Sequence, residues 1–203
     1  MTSNNLVLVE RLEATVRRHP AVKSVALTGS RARGEATDLS DWDFAVETRD
    51  FPTVAEALPA LVAPLEPLAQ QWDRLSDHGC YMLLLRGVGK VDLIFDHPWQ
   101  PQPPWEVSEP TLLGIDDHFW DWTIWLAAKD RAGKRDVVEA ELRKMHQHLL
   151  RPLGVERRPE SVADAVAAYT VARAEAEERL GVTVRRALEG EVRRLLARGG
   201  YAI

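Results

Sequence analysis

Val25-Ala26-Leu27-Thr28-Gly29-Ser30-Arg31-Ala32-Arg33-Gly34, followed closely by Asp41-Trp42-Asp43-Phe44-Ala45-Val46, is the stretch whose reading decides the fold. Residues 25–28 read as a short buried strand, Gly29-Ser30 as the break after it, and residues 42–46 as the next strand. Residues two apart in a strand face the same way, so Asp41 and Asp43 can share one cation or bridge two. Gly29 lets the backbone approach an anion closely, with the Ser30 hydroxyl and nearby amides as donors, and a helix opening near Ser30 would add its positive end. An isolated Asp-x-Asp is ordinarily a solvated turn or cap. A glycine turn ahead of two carboxylates aimed the same way is instead the layout of a metal-dependent phosphate site.

Working outward, Lys90-Val91-Asp92-Leu93-Ile94-Phe95 supplies a third carboxylate in a run suited to pair beside the first strands. A charge inside an apolar strand is costly unless a cation or partner compensates it, which sets Asp92 apart from a surface aspartate. Arg31 and Arg33 sit where a guanidinium could reach phosphate, and the fork suits such oxygens. Helical spacing turns the two about 200° apart, so Arg31 is the one carried forward. The bland reading of both is a solvated helix face.

The set Gly29, Ser30, Asp41, Asp43 and Asp92 resembles the nucleotidyltransferase superfamily typified by DNA polymerase beta, and within it the small bacterial enzymes that adenylylate antibiotic hydroxyls. The resemblance is specific over about residues 22–96. It implies an α+β fold, a mixed sheet with flanking helices followed by a helical bundle. It also implies that Asp41, Asp43 and Asp92 are both catalytic and metal-binding and hold two magnesium ions. Gly29 and Ser30 would grip the β- and γ-phosphates of a nucleoside triphosphate, ATP being the expected co-substrate. The expected product is a nucleoside monophosphate ester on a hydroxyl of a small molecule, an aminoglycoside-like antibiotic among the candidates. An antitoxin-type enzyme that adenylylates a partner protein, and a silent nucleotide-binding module, are the alternatives.

The chain divides near His97-Pro98-Trp99-Gln100-Pro101-Gln102-Pro103-Pro104-Trp105, where repeated prolines forbid helix. The expected domains are a catalytic 1–109 and a helical 110–203. Within the first, Val7 to Arg18 reads as an amphipathic helix, and Thr53 to Leu68 as a helix interrupted by Pro59, Pro64 and Pro67. Tyr81 to Leu85 pairs with Val91 to Phe95 across Gly87-Val88-Gly89. The second reads as four helices, Asp116 to Ala132, Arg135 to Leu150, Ser161 to Leu180 and Val184 to Arg198, with caps at Ser161 and Gly199-Gly200.

The first of these helices is apolar nearly all round between His118 and Lys129, which marks burial on several sides. It is similar to the aromatic-rich helix of streptomycin-type adenylyltransferases, which ends in Ala-Lys. That similarity implies a triphosphate contact for Lys129, although Asp130-Arg131 replaces the usual Gly-Leu. His118, Trp122, Trp125 and Lys129 lie within about 40° of one face at helical spacing. For a general base the resemblance implies a carboxylate near the acceptor. Asp121, Glu139 and Glu141 all qualify, and Glu139 enters the site set, with a surface pair to Arg143 as its bland reading. Five of the seven tryptophans, Trp99, Trp105, Trp120, Trp122 and Trp125, crowd the linker and this helix; core packing explains most, and one or two could stack on the acceptor. His146 and His148 are two apart on a helix and diverge, which excludes a metal pair.

The net charge of −5 is unevenly spread. Residues 1–109 hold ten Lys plus Arg against sixteen Asp plus Glu, and the remainder sixteen against fifteen. An acidic catalytic half repels nucleic acid and welcomes cations, which favours a cationic small acceptor. The single cysteine, Cys80, excludes an intrachain disulfide and a cysteine zinc cluster. The start Met1-Thr2-Ser3-Asn4-Asn5 has no basic leader, and no apolar run is long enough to span a bilayer. A cytoplasmic, membrane-free setting is therefore expected, and an apolar bundle face offers a surface on which two copies could pair as a homodimer.

Overall fold

The computed structural model describes residues 3–203; Met1 and Thr2, at the head of the polar start, lie outside the described residues. The chain falls into two units that meet between Pro101 and Gln102. The first contains α1 (Ser3–Arg17), β1 (Val22–Leu27), a short α2 (Gly29–Ala32), β2 (Trp42–Thr48), α3 (Phe51–Val62), β3 (Ala69–Trp72), β4 (His78–Leu85) and β5 (Gly89–Pro98). Its five-stranded sheet runs β1-β2-β5-β4-β3. Only β2 and β5 pair parallel; the other neighbours are antiparallel.

Alternation along β2 fixes which face is core. Trp42, Phe44 and Val46 are buried, while Asp43 and Ala45 between them are only partly so. The apolar face joins Val91, Leu93 and Phe95 of β5 and Tyr81 and Leu83 of β4 to Leu12 and Val16 of α1 and Val54, Leu58 and Val62 of α3. Burying a side chain such as Phe44 or Leu93 contributes about 2 kcal/mol, so this face anchors the register. Asp43 lies opposite Asp92 in that register. With a side-chain period of two, Asp41 and Lys90 fall on the same polar face.

Three local differences from the sequence reading have plain causes. The helix expected over Thr53 to Leu68 opens at Phe51 and stops at Val62. Asp50 caps its start by accepting from the Thr53 amide at 3.2 Å. Pro59 is tolerated inside it, whereas Pro64, Pro67 and the left-handed Glu66 at φ 51° end the helical path. β3 was not legible because Ala69-Gln70-Gln71-Trp72 has no β-branched residue; its pairing with β4 makes it a strand.

The second unit is helical: α4 (Glu109–Arg131), α5 (Arg135–Met145), α6 (Val162–Leu180) and α7 (Ala187–Arg198). α4 begins earlier than the expected Asp116, because Ser108 and Thr111 satisfy each other's backbone reciprocally and Pro110 fits the first turn. α5 gives way to a π-helical turn over His146–Leu150 rather than running on as one regular helix. A buried ionic network ties α4 to α6 and α7. Asp116 Oδ1 accepts from Trp120 Nε1 at 3.2 Å, from the Tyr169 hydroxyl at 2.6 Å and from Arg173 at 2.9 Å. Arg173 also donates to Glu189 at 2.7 Å. Among the described residues no helix is long and apolar enough to cross a membrane.

Candidate metal and nucleotide site

The loop before β2 and the paired centres of β2 and β5 bring Asp41, Asp43 and Asp92 together. One carboxylate oxygen from each lies within 4.8 Å of the others. Three hard oxygen donors at that separation match what magnesium or calcium takes as ligands. Asp92 is 8% exposed. Burial pushes its carboxyl upward, opposed by the ammonium of Lys90 and reinforced by Asp43 and Asp73. A crowded set of carboxylates, with Asp92 desolvated among them, is one that a divalent cation relieves, so the residues present fit such an ion.

The turn at Gly29 is fitted to the same carboxylates. The Thr28 amide donates to the Asp43 carbonyl at 2.7 Å and its hydroxyl to the same oxygen at 3.2 Å, locking the end of β1 to the head of β2. Gly29 then takes φ 65°, and a Cβ there would run into the Asp43 carboxylate. Ser30 follows in the first turn of α2, half-buried beside it. α2 is four residues long, so the helix-end contribution expected at Ser30 is small.

Arg31 is engaged inward. Its Nε donates to the Asp41 carbonyl at 3.0 Å and its NH2 to the Ser40 carbonyl at 2.6 Å. The guanidinium lies 4.2 Å from the centre of the Trp42 ring. Burial lowers its pKa from the ordinary arginine value, against the pull of Asp41, Asp43 and Asp38. This fork clamps the loop that carries Asp41. Arg33 points to solvent and pairs with Glu35 at 2.8 Å.

The residue that the sequence reading passed over is Lys90. Its Nζ lies 2.7 Å from Asp92 Oδ1, and it is 6% exposed. The signal was present, since a lysine two positions before Asp92 in a strand must share its face.

Within the second unit, Lys129 is half-buried with its ammonium 4.7 Å from the Trp125 ring centre. Glu139 is exposed and pairs with Arg143 at 3.1 Å, the arrangement of a helix-surface pair. Glu141 accepts from Trp122 Nε1 at 3.2 Å and pairs with Lys144 at 2.7 Å. Asp121 is buried. Trp105 Nε1 donates to His118 at 3.2 Å, and His118 stacks on Trp122 with centroids 5.2 Å apart. The first turns of α4 also carry Asp117, which no motif marked. Burial, with Asp116 and then Asp121 adding to it against Arg185, pushes its carboxyl up to about 7.

Residues 9–78 match the family model of the nucleotidyltransferase domain, a span that holds Gly29, Ser30, Asp41 and Asp43 and ends before Asp92. Among solved structures, a cytoplasmic RNA terminal U-transferase aligns at 18% identity and TM-score 0.37, covering 46% of this chain and 30% of that one. The chain thus spans less than a third of that relative. An aminoglycoside 6-adenyltransferase from Bacillus subtilis aligns at 12% identity and TM-score 0.31, over 97% of this chain and 98% of that one. No curated protein matches the chain significantly.

Proposed function

Because residues 9–78 of this chain match the family model of the nucleotidyltransferase domain, we propose that it transfers a nucleoside monophosphate, AMP from ATP, to a hydroxyl of a small molecule. The observation that carries this reading is the convergence of Asp41, Asp43 and Asp92 within 4.8 Å beside the Gly29 turn. The acidic balance of the first half, ten basic against sixteen acidic residues over 1–109, supports a cationic acceptor such as an aminoglycoside.

In this reading Asp41, Asp43 and Asp92 would hold magnesium. When bound, such an ion neutralises charge on the triphosphate and makes an acceptor hydroxyl more acidic. The Gly29 turn presents backbone amides and the Ser30 hydroxyl to the outer phosphates, and the absent Cβ leaves Asp43 its position. Arg31 keeps Asp41 in place through the Ser40 and Asp41 carbonyls. The acceptor oxygen forms a bond to the α-phosphorus while the bond to the pyrophosphate oxygen breaks. Pyrophosphate departs and the hydroxyl proton goes to a carboxylate or to solvent.

Lys129 as a triphosphate contact and Glu139 as general base belong to this proposal. The experiment offers each of the four nucleoside triphosphates, labelled at the α-phosphate, with magnesium, to aminoglycosides, lincosamides and cell extract. Asp43→Asn is the control. Label on a small molecule that disappears in the variant supports the reading and names the acceptor. Label on a protein moves it to protein nucleotidylation, and no transfer from any nucleotide defeats it.

A further inference from the structure

The polar face of the sheet is ordered from one edge to the other. The Gly29 turn sits at the β1 edge against Asp43, Asp43 lies opposite Asp92 on β5, and β4 and β3 extend the sheet away from that turn. In phosphoryl transfer the attacking and leaving oxygens stand roughly in line, on opposite sides of the phosphorus. With the outer phosphates at the Gly29 turn, pyrophosphate leaves towards β1, and the acceptor hydroxyl must reach the α-phosphorus from the β4 and β3 side. The row of that face next to Asp43 and Asp92 runs through Ala45, Ile94, Cys80 and Asp73. Ala45 pairs with Ile94, Ile94 with Cys80, and the Asp73 amide donates to the Cys80 carbonyl at 2.8 Å. Ala45 and Ile94 are half-buried, so beside the carboxylate cluster the row presents a partly open apolar strip that ends in Asp73.

Trp72 packs on Tyr81 and the core face, so Asp73, the next residue of an extended chain, faces the Asp92 side. Its charge is felt by the Asp92 carboxyl. Asp73 is half-buried; its Oδ1 accepts from the Leu75 amide at 2.8 Å, which fixes the side chain, while Oδ2 accepts no hydrogen bond among the described residues. β3 stands two strands from β5, about 10 Å, and the two rows are about 7 Å apart, which separates the Asp92 and Asp73 backbones by about 12 Å. Side chains and the reacting phosphate fill part of that gap, and the remainder is the span of a substituted six-membered ring.

We propose that Asp73 is an acceptor-binding residue, its carboxylate holding an ammonium group that the acceptor carries one ring away from the hydroxyl that reacts. The inference rests on reading Asp41, Asp43 and Asp92 as the centre of nucleotidyl transfer. Asp73 sets which acceptor is taken and takes no part in bond making: the acceptor is an amino-substituted ring whose carbon face lies along Ile94 and whose cation meets Asp73 Oδ2.

The test compares the full chain with Asp73→Asn, which keeps an oxygen for the Leu75 amide and removes the charge. Steady-state transfer is measured to an aminoglycoside that the wild-type protein labels, and to the same aminoglycoside with its amines acetylated. Asp73→Asn is expected to raise the acceptor KM about tenfold or more, while kcat and the nucleotide KM stay within about threefold of wild type. Acetylating the acceptor should cost the wild-type protein a similar factor and should cost Asp73→Asn much less, because the pair is already broken. An acceptor KM that does not change in Asp73→Asn, or acetylation that costs both proteins equally, overturns the proposal and leaves the transfer reading standing. A fall in kcat together with weaker Mn2+ binding in calorimetry also overturns it, since Asp73 would then serve the metal ligands instead. A wild-type protein that labels no amine-bearing small molecule but labels a neutral one overturns the proposal alone, and one that labels no small molecule removes the transfer reading with it.

Discussion

Gly29 and Asp43 occupy what would otherwise be the same volume: a Cβ on Gly29 would lie 1.9 Å from Asp43 Oδ2. The glycine is required twice over, by that approach and by φ 65°. Gly29→Ala should cost about 1–2 kcal/mol through the left-handed backbone alone. Because it must also push the Asp43 carboxylate aside, nucleotidyl transfer should fall by about a hundredfold or more, the usual cost of misplacing a reacting geometry by an ångström. Thermal unfolding and transfer rate measured on one preparation separate the two effects. A variant that keeps both rate and stability would mean that Asp43 has room to move.

Arg31 offers a sharper division between two roles. Its fork meets the Ser40 and Asp41 carbonyls at 2.6 and 3.0 Å, which a single ammonium cannot reproduce. If the guanidinium serves to brace Asp41, Arg31→Lys should weaken Mn2+ binding several-fold in the absence of nucleotide and cost about 1–2 kcal/mol of stability. If it serves phosphate instead, metal binding alone should not change and only the KM for triphosphate should rise. Calorimetry with metal alone, set beside steady-state kinetics, distinguishes these outcomes.

How much of this was legible beforehand follows from which residues carry local signals. The Gly29 turn, Asp41, Asp43 and Asp92 declare themselves by period-two spacing and by charge in an apolar run, and the structure joins them on one face of the sheet. β3 stayed hidden because its glutamines have no strand preference of their own and depend on β4 for pairing. Arg31 read as a phosphate ligand or a solvated helix residue, because a carbonyl partner ten residues along the chain leaves no mark in sequence. The Asp116, Tyr169 and Arg173 network joins residues more than fifty positions apart, beyond any local window. Asp117 carries no motif, and only burial distinguishes it from a solvated helix aspartate.

That network gives the second unit a measurable weak point. Asp116 is 1% exposed, and one of its oxygens accepts three donors, while Tyr169 and Arg173 are buried with it. Asp116→Ala leaves the Arg173 charge buried without that partner and should cost about 3–5 kcal/mol. Tyr169→Phe removes one bond to the carboxylate and should cost about 1–3 kcal/mol. Urea unfolding followed by tryptophan fluorescence provides both values. Near-neutral results for the pair would mean that the helices are held by apolar packing alone.

Asp117 makes stability depend on pH in an identifiable direction. Its carboxyl is raised from 3.8 to about 7, first by burial and then by Asp116 and Asp121, with Arg185 opposing. The folded protein therefore holds this proton between about pH 4 and pH 7, where the unfolded chain has already lost it. The stabilisation is fully present below pH 3.8 and is lost as pH rises through about 7. A shift of this size corresponds to at most about 4 kcal/mol, and the partial exposure of Asp117 reduces it to about 2 kcal/mol. Asp117→Asn mimics the neutral form throughout, so its stability relative to wild type should climb between pH 4.5 and pH 7 and then level off. Urea midpoints of both proteins across that range measure the difference directly, and a constant offset would show that Asp117 titrates as an ordinary surface aspartate.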